Sequence, residues 1–79
     1  MNASEYEKLE KIMNDGISSA RQANKKFEEV SIESDWDKKN ELRLLAQNHL
    51  GYAEGIKKVL TAINFKHDNM KILEAEINK

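Results

Sequence analysis

Between Tyr6 and Val30 the apolar and small residues Tyr6, Leu9, Met13, Gly16, Ala20, Ala23, Phe27 and Val30 are separated by gaps that alternate between three and four without a break. Such a stripe repeats every ~3.5 residues, so it stays on one side of an α-helix and faces one partner along its whole length. A half-buried strand needs alternation with period two, and no stretch of the chain has it. The stripe therefore commits the chain to long helices packed side by side. Ile12 and Ile17 flank it and widen it toward the broad face of a bundle helix.

The spacing predicts a first helix over 4–30. Ser4 is placed to cap its opening amides, and Glu5 and Glu7 lie beside the positive end of the helix dipole. The stretch "SIESDWD" at 31–37 then gathers serine and aspartate, whose side chains compete for backbone hydrogen bonds and interrupt helices. A turn is expected at 31–36. Ser34 with Asp37 resembles a capping box, with Asp35 as a competing cap. Ile32 and Trp36 are expected to fold over the end of the core, and Trp36 is also a candidate partner-binding residue.

A second helix is expected over 36–64. Leu42, Leu45, His49, Tyr52, Ile56, Val59 and Ile63 repeat the alternation of three and four, and Ala46, Leu50, Ala53 and Leu60 form a flanking stripe. With so short a connection the two helices should make an antiparallel hairpin. Numbering back from the turn sets Tyr52 opposite Gly16, His49 near Ala20 and Leu45 across from Ala23. Bulky residues would then fill the space left by small ones.

Residues 65–78 admit two readings. Met70, Leu73 and Ile77 continue the heptad phase of the second helix, which favours one continuous helix to about residue 78. That helix would rise roughly 60 Å, against about 40 Å for the first. Met70, Leu73 and Ile77 would then overhang as an exposed stripe and a candidate docking surface. The alternative is a turn at 64–69 and a separate third helix.

With 79 residues the chain has room for a single small core, and with no cysteine it has neither disulfides nor cysteine-bound zinc to reinforce one. Self-association is the remaining route to more buried surface. The expected architecture is thus an all-α, antiparallel helical hairpin that becomes a four-helix bundle as a homodimer. Gly51 and Gly55, with Asn48 and Ala62, lie on one flank of the second helix and are candidates for close contact with another helix.

Function classes narrow by exclusion. Thirteen basic side chains balance fourteen acidic ones, which disfavours nucleic-acid binding by general phosphate attraction. Arg21, Lys25, Lys26, Lys38, Lys39 and Arg43 do cluster, but Glu28, Glu29, Glu33, Asp35, Asp37 and Glu41 share that end. The acidic, polar start is unlike a secretory signal, and no apolar run is long enough to span a bilayer, so a cytoplasmic location away from membranes is expected.

His49, Glu54, His67 and Asp68 are the residues with site-like chemistry. Their spacing matches neither HExxH nor the Glu-x-x-His pair of carboxylate-metal bundles. On one straight helix His49 and His67 would stand about 27 Å apart. No catalytic residue, metal ligand or cofactor is therefore expected. The pattern points to a small non-enzymatic protein-interaction module (adaptor, inhibitor or regulator) using Trp36, Met70, Leu73 and Ile77 toward a protein partner. The alternatives are a nucleic-acid-binding dimeric bundle and a purely structural assembly element.

Overall fold

The first helix, α1, runs Ala3–Ile32 in the computed structural model, which describes residues 2–79. It begins earlier than the Ser4 cap expected above. The Asn2 side chain accepts the Glu5 amide at 2.8 Å, so Asn2 caps the helix and Ser4 lies inside it. Most of the expected stripe is what α1 buries, although its Tyr6 and Phe27 stay exposed. Met13, Gly16, Ala20, Ala23 and Val30 are buried, Leu9 is half-buried, and Ile17 on the flank is buried with them.

Residues 33–35 connect to α2, Trp36–Ala62. Here the competing cap prevails. The Asp35 carboxylate accepts the amides of Asp37 and Lys38 at 2.9 and 3.3 Å, and the Ser34 box does not form. Asp35 itself is held by its amide donating to Glu33 at 2.9 Å.

The continuous second helix does not form. α2 stops in a Schellman turn. Asn64 adopts a left-handed conformation (φ 61°), its amide donates to the Thr61 carbonyl, and the Phe65 amide reaches back to Leu60 at 2.9 Å. Phe65 and Leu60 both enter the core, the hydrophobic contact that accompanies this motif. Heptad phase carries no information about a single left-handed residue, so it ran straight through this turn.

The third helix, α3, Met70–Ile77, packs back on the other two. Its start lies by Glu10 and its end by Arg21 and Asn24, so it runs parallel to α1 and antiparallel to α2. The protein is a three-helix fold rather than a bare hairpin. Its extents are 50 × 17 × 16 Å, and the third helix covers only one end.

The core sits at that end: Met13, Ile17, Ala20, Ala53, Leu60, Phe65 and Leu73, with Leu9, Ile56, Met70 and Ile77 against it. The stripe Met70–Leu73–Ile77 is thus not an exposed overhang. Leu73 is wholly buried and the other two are half-buried, because the turn at 63–69 folds them inward.

The centre of α2's buried face is also displaced from expectation. Ala46, Ala53 and Leu60 are buried, whereas Leu45, Tyr52, Val59 and Ile63 remain exposed. The physical reason is that α2 has two partners. Facing both α1 and α3 turns the flanking stripe into the centre and swings the heptad stripe to the edge. An added β-carbon on Gly16 would meet Ile56 and Leu73, not Tyr52, so the expected Tyr52-over-Gly16 layer is absent.

Candidate interaction surface

The residues with site-like chemistry hold the fold together. The His67 Nε2 lies 2.7 Å from a Glu10 carboxylate oxygen, and its Nδ1 accepts the Asn69 amide at 3.0 Å. A neutral ring protonated on Nε2 satisfies both contacts at once. The Tyr6 ring stands 5.2 Å from Phe65 and 5.9 Å from His67, and its hydroxyl donates to the Lys66 carbonyl. These groups staple the α2–α3 turn to the start of α1.

His49 contributes its carbonyl, which accepts the hydroxyl of the buried Ser19 at 2.8 Å and locks α1 to α2. His49 and His67 thus serve opposite joints of the fold. Among the described residues no group of three His, Asp or Glu side chains is arranged to hold a metal ion.

At the far end of α3, Glu76 gathers several partners. Its carboxylate accepts from Lys79 at 3.1 Å and from the Asn24 amide at 3.2 Å, with the Arg21 guanidinium 3.8 Å away. The Lys79 hydrogen bond chiefly, then the charge of Lys79, the Asn24 bond and the charge of Arg21, hold its pKa below the ordinary glutamate value against the opposing effect of burial. The Asn24 amide also donates to the Glu76 carbonyl at 2.9 Å. This cluster ties α3 to α1.

What the fold leaves over is apolar surface. Trp36 and Ile32 do not close the core as expected. They are 72% and 84% exposed, because Asp35 fixes Trp36 as the first residue of α2 and the short connection leaves both side chains outside. Together they make an apolar knob at the tip of the hairpin.

A longer surface runs along α2. On the arc of the helix turned away from α3 stand Leu44, Leu45, Asn48, Gly51, Tyr52, Gly55, Val59, Ala62 and Ile63, with the half-buried Ile56 at its inner edge against the core. None of them is charged. Leu44, Tyr52 and Val59 are each more than half exposed, and Leu45 and Ile63 nearly so. Ile12 of α1, two turns before Ser19 on the same flank, joins the edge of this face and is also exposed.

Gly51 and Gly55 lie within it. A β-carbon built on either meets nothing within 4 Å, and neither has a positive φ. The fold therefore needs neither glycine, although each weakens the helix by roughly 1 kcal/mol relative to alanine. Gly16 differs, since the same test brings Ile56 to 3.0 Å and Leu73 to 3.3 Å.

The arc as a whole was not anticipated. Its signal was present as a gap in charge, since from Leu44 to Ile56 the only acidic or basic residue besides His49 is Glu54. No protein-family model, curated protein or solved structure matches the chain, so its functional reading rests on this surface.

Proposed function

We propose that the chain is a small non-enzymatic protein-interaction module, an adaptor or regulator that works through helix faces and associates with itself as part of that role. The observation that carries this reading is the uncharged, exposed arc of α2. Monomeric soluble proteins seldom leave a continuous apolar strip of this kind along a helix, and those that do use it for docking. The site-like residues support the reading from the other side, because His67, Glu10 and Glu76 are engaged in tying helices together.

Nucleic-acid binding finds less support. Lys57 pairs with Glu74, Arg21 approaches Glu76 and Lys26 pairs with Glu29, and the other basic side chains of the Arg21–Arg43 cluster share their end of the molecule with six carboxylates. No helix among the described residues is long and apolar enough to cross a membrane.

Affinity capture from the native host tests the reading. Proteins retained by the wild-type chain are expected to be lost with Leu44→Asp and Val59→Asp, which place a charge in the arc without touching the core. Trp36→Ala tests the knob at the tip separately. An unchanged captured set with all three variants would overturn the proposal.

A further inference from the structure

We infer that the arc of α2 is the interface between two copies of this chain, paired with their α2 helices antiparallel about a twofold axis that passes between Ala53 and Glu54. The inference deepens the interaction-module reading, on which it rests, by naming one occupant of the surface.

Three observations carry it. The first is area. Half-exposed aliphatic and aromatic side chains present on the order of 100 Å² each. Leu44, Leu45, Tyr52, Val59 and Ile63, with the small residues between them and Ile12 at the edge, thus offer roughly 600–700 Å² per copy, or more than the ~1,000 Å² in total that a specific interface requires.

The second is self-matching. A twofold interface must be complementary to itself. Reversed about its own centre, the arc returns to itself: Leu44 meets Ile63, Leu45 meets Ala62, Asn48 meets Val59 and Tyr52 meets Gly55, while Gly51 falls opposite the half-buried Ile56. Leu45 with Ala62 and Tyr52 with Gly55 each set a large side chain over a small one. Gly55 thereby acquires the use that the single chain does not give it, since it makes room for the tyrosine of the other copy, and Gly51 lets the two helices approach closely beside it.

The third is charge. Continued toward its start, the arc carries Asp37 and Glu41, while Lys58 and Lys66 lie near its far end, and all four are exposed. Lys38 lines one cleft with Glu41, Glu29 and Glu33, so the start of the arc remains acidic in sum. Antiparallel pairing brings the acidic start of one arc beside the basic end of the other. Parallel pairing would set like charges side by side.

The pairing does not need the hairpins to open. α3 lies on the opposite side of α2, and the core at the three-helix end stays closed. The assembly thus takes in neither the tail stripe Met70–Leu73–Ile77 nor the bare hairpins of the bundle expected from sequence.

The test is sedimentation equilibrium over a concentration series, joined to a cysteine cross-link. The wild-type chain is expected to dimerise. Gly55→Leu and Val59→Asp are each expected to weaken the dimer roughly tenfold or more. Gly55→Leu should also leave the separated monomer as stable as wild type or more so, because a leucine there meets open space and favours helix. A merely structural role for Gly55 would not produce that opposite pair of effects.

Because the natural chain has no cysteine, engineered ones report the register. A variant carrying both Asn48→Cys and Val59→Cys should form a disulfide-linked dimer, and Val59→Cys alone should not. A wild-type chain that stays monomeric into the millimolar range would overturn the inference. So would a dimer that survives Gly55→Leu and Val59→Asp, or one that Val59→Cys alone cross-links, the mark of parallel pairing. The capture experiment reads foreign partners independently, so a monomeric chain that still loses its captured proteins on Val59→Asp would refute this inference and leave the interaction-module reading standing.

Discussion

The two ends of the molecule bury apolar surface in different ways. Where α3 is present, large side chains interlock: Met13, Leu60 and Leu73 are fully buried, and Phe65 and Ile17 pack with them. At the turn end only α1 and α2 meet, and the residues buried there are small, with Ala23 and Ala46 fully covered and Val30 nearly so. Phe27, Ile32, Trp36, Leu44 and Leu45 at that end stay at least a third exposed. Two helices have one seam between them, and a single seam covers only a narrow strip of each. A third helix in the groove turns a seam into a core. Stability should therefore be concentrated at the α3 end, and exposed apolar area, with its capacity for docking, at the hairpin end and along the back of α2.

The largest effect that would break this contrast comes from Leu73. Leu73→Ala removes a wholly buried side chain where three helices meet and should cost about 3–4 kcal/mol. Leu45→Ala at the turn end, already 46% exposed, should cost no more than about 1 kcal/mol. Urea unfolding of both variants at concentrations that keep the chain monomeric compares them. Equal losses would show that the hairpin end is as firmly packed as the other.

Gly16 comes next. It allows α1, Ile56 and Leu73 to approach at the centre of the three-helix region. Gly16→Leu should lower stability by about 1–3 kcal/mol through overpacking. Gly51→Ala, in open space on α2, should instead raise monomer stability by roughly 0.5–1 kcal/mol. Opposite signs for the two glycines would set the packed face of α1 against the open face of α2. Loss of stability at Gly51 would place a neighbour where none is seen.

These contrasts also mark how far the chain could be read from its residues alone. The stripe of α1 was legible because periodicity is local and α1 presents one broad face. The stripe of α2 was misplaced. Leu45, Tyr52 and Val59 have flawless heptad spacing, but a helix with two partners centres its buried face between them, here on Ala53 and Leu60. That position depends on α3, whose own existence was hidden by continuity of phase across Asn64. The signal for the turn was chemical rather than periodic. An asparagine able to turn left-handed was followed by Phe65, which could pair with Leu60 five residues back. The exposed arc is half legible in the sequence. Gly51 and Gly55 stand out as candidates for close helix contact, but Tyr52 and Val59 fit the heptad stripe and Leu44 falls outside it, so periodicity does not join them into one arc. Trp36 lies at the turn, as its place in the sequence implies, but it stays exposed and does not cover the core.

A smaller effect tests whether the turn end behaves as a local unit. Asp35→Ala removes the side chain that caps α2 through two amides and should cost about 1 kcal/mol. Hydrogen exchange should then quicken in the first turn of α2, while the amides of Leu60 and Leu73 keep their protection. Uniform loss of protection across both ends would mean that the seam and the core unfold as one.

The smallest effect concerns acid, and it acts at the α3 end. Glu76 has its pKa lowered in the folded state, chiefly by Lys79, with Asn24 and Arg21 adding to it. A carboxylate held below its unfolded value contributes stability above the unfolded pKa of about 4.3, and that contribution is lost as pH falls through the lower, folded value. Neutral pH thus keeps the whole contribution, and it fades only in the range below about pH 4. Because Lys79 and Arg21 are well exposed, solvent and salt screen much of the attraction, so the change is expected to be slight. Glu76→Gln should lower the stability a little at pH 7 and flatten the acid dependence in that range. It keeps an oxygen for the Asn24 amide, so the difference from wild type reads the charge rather than the hydrogen bond. The loss should centre on α3, since the carboxylate's partners on α1 anchor only that helix. An acid dependence identical in wild type and Glu76→Gln would remove Glu76 from the forces that hold the third helix in place.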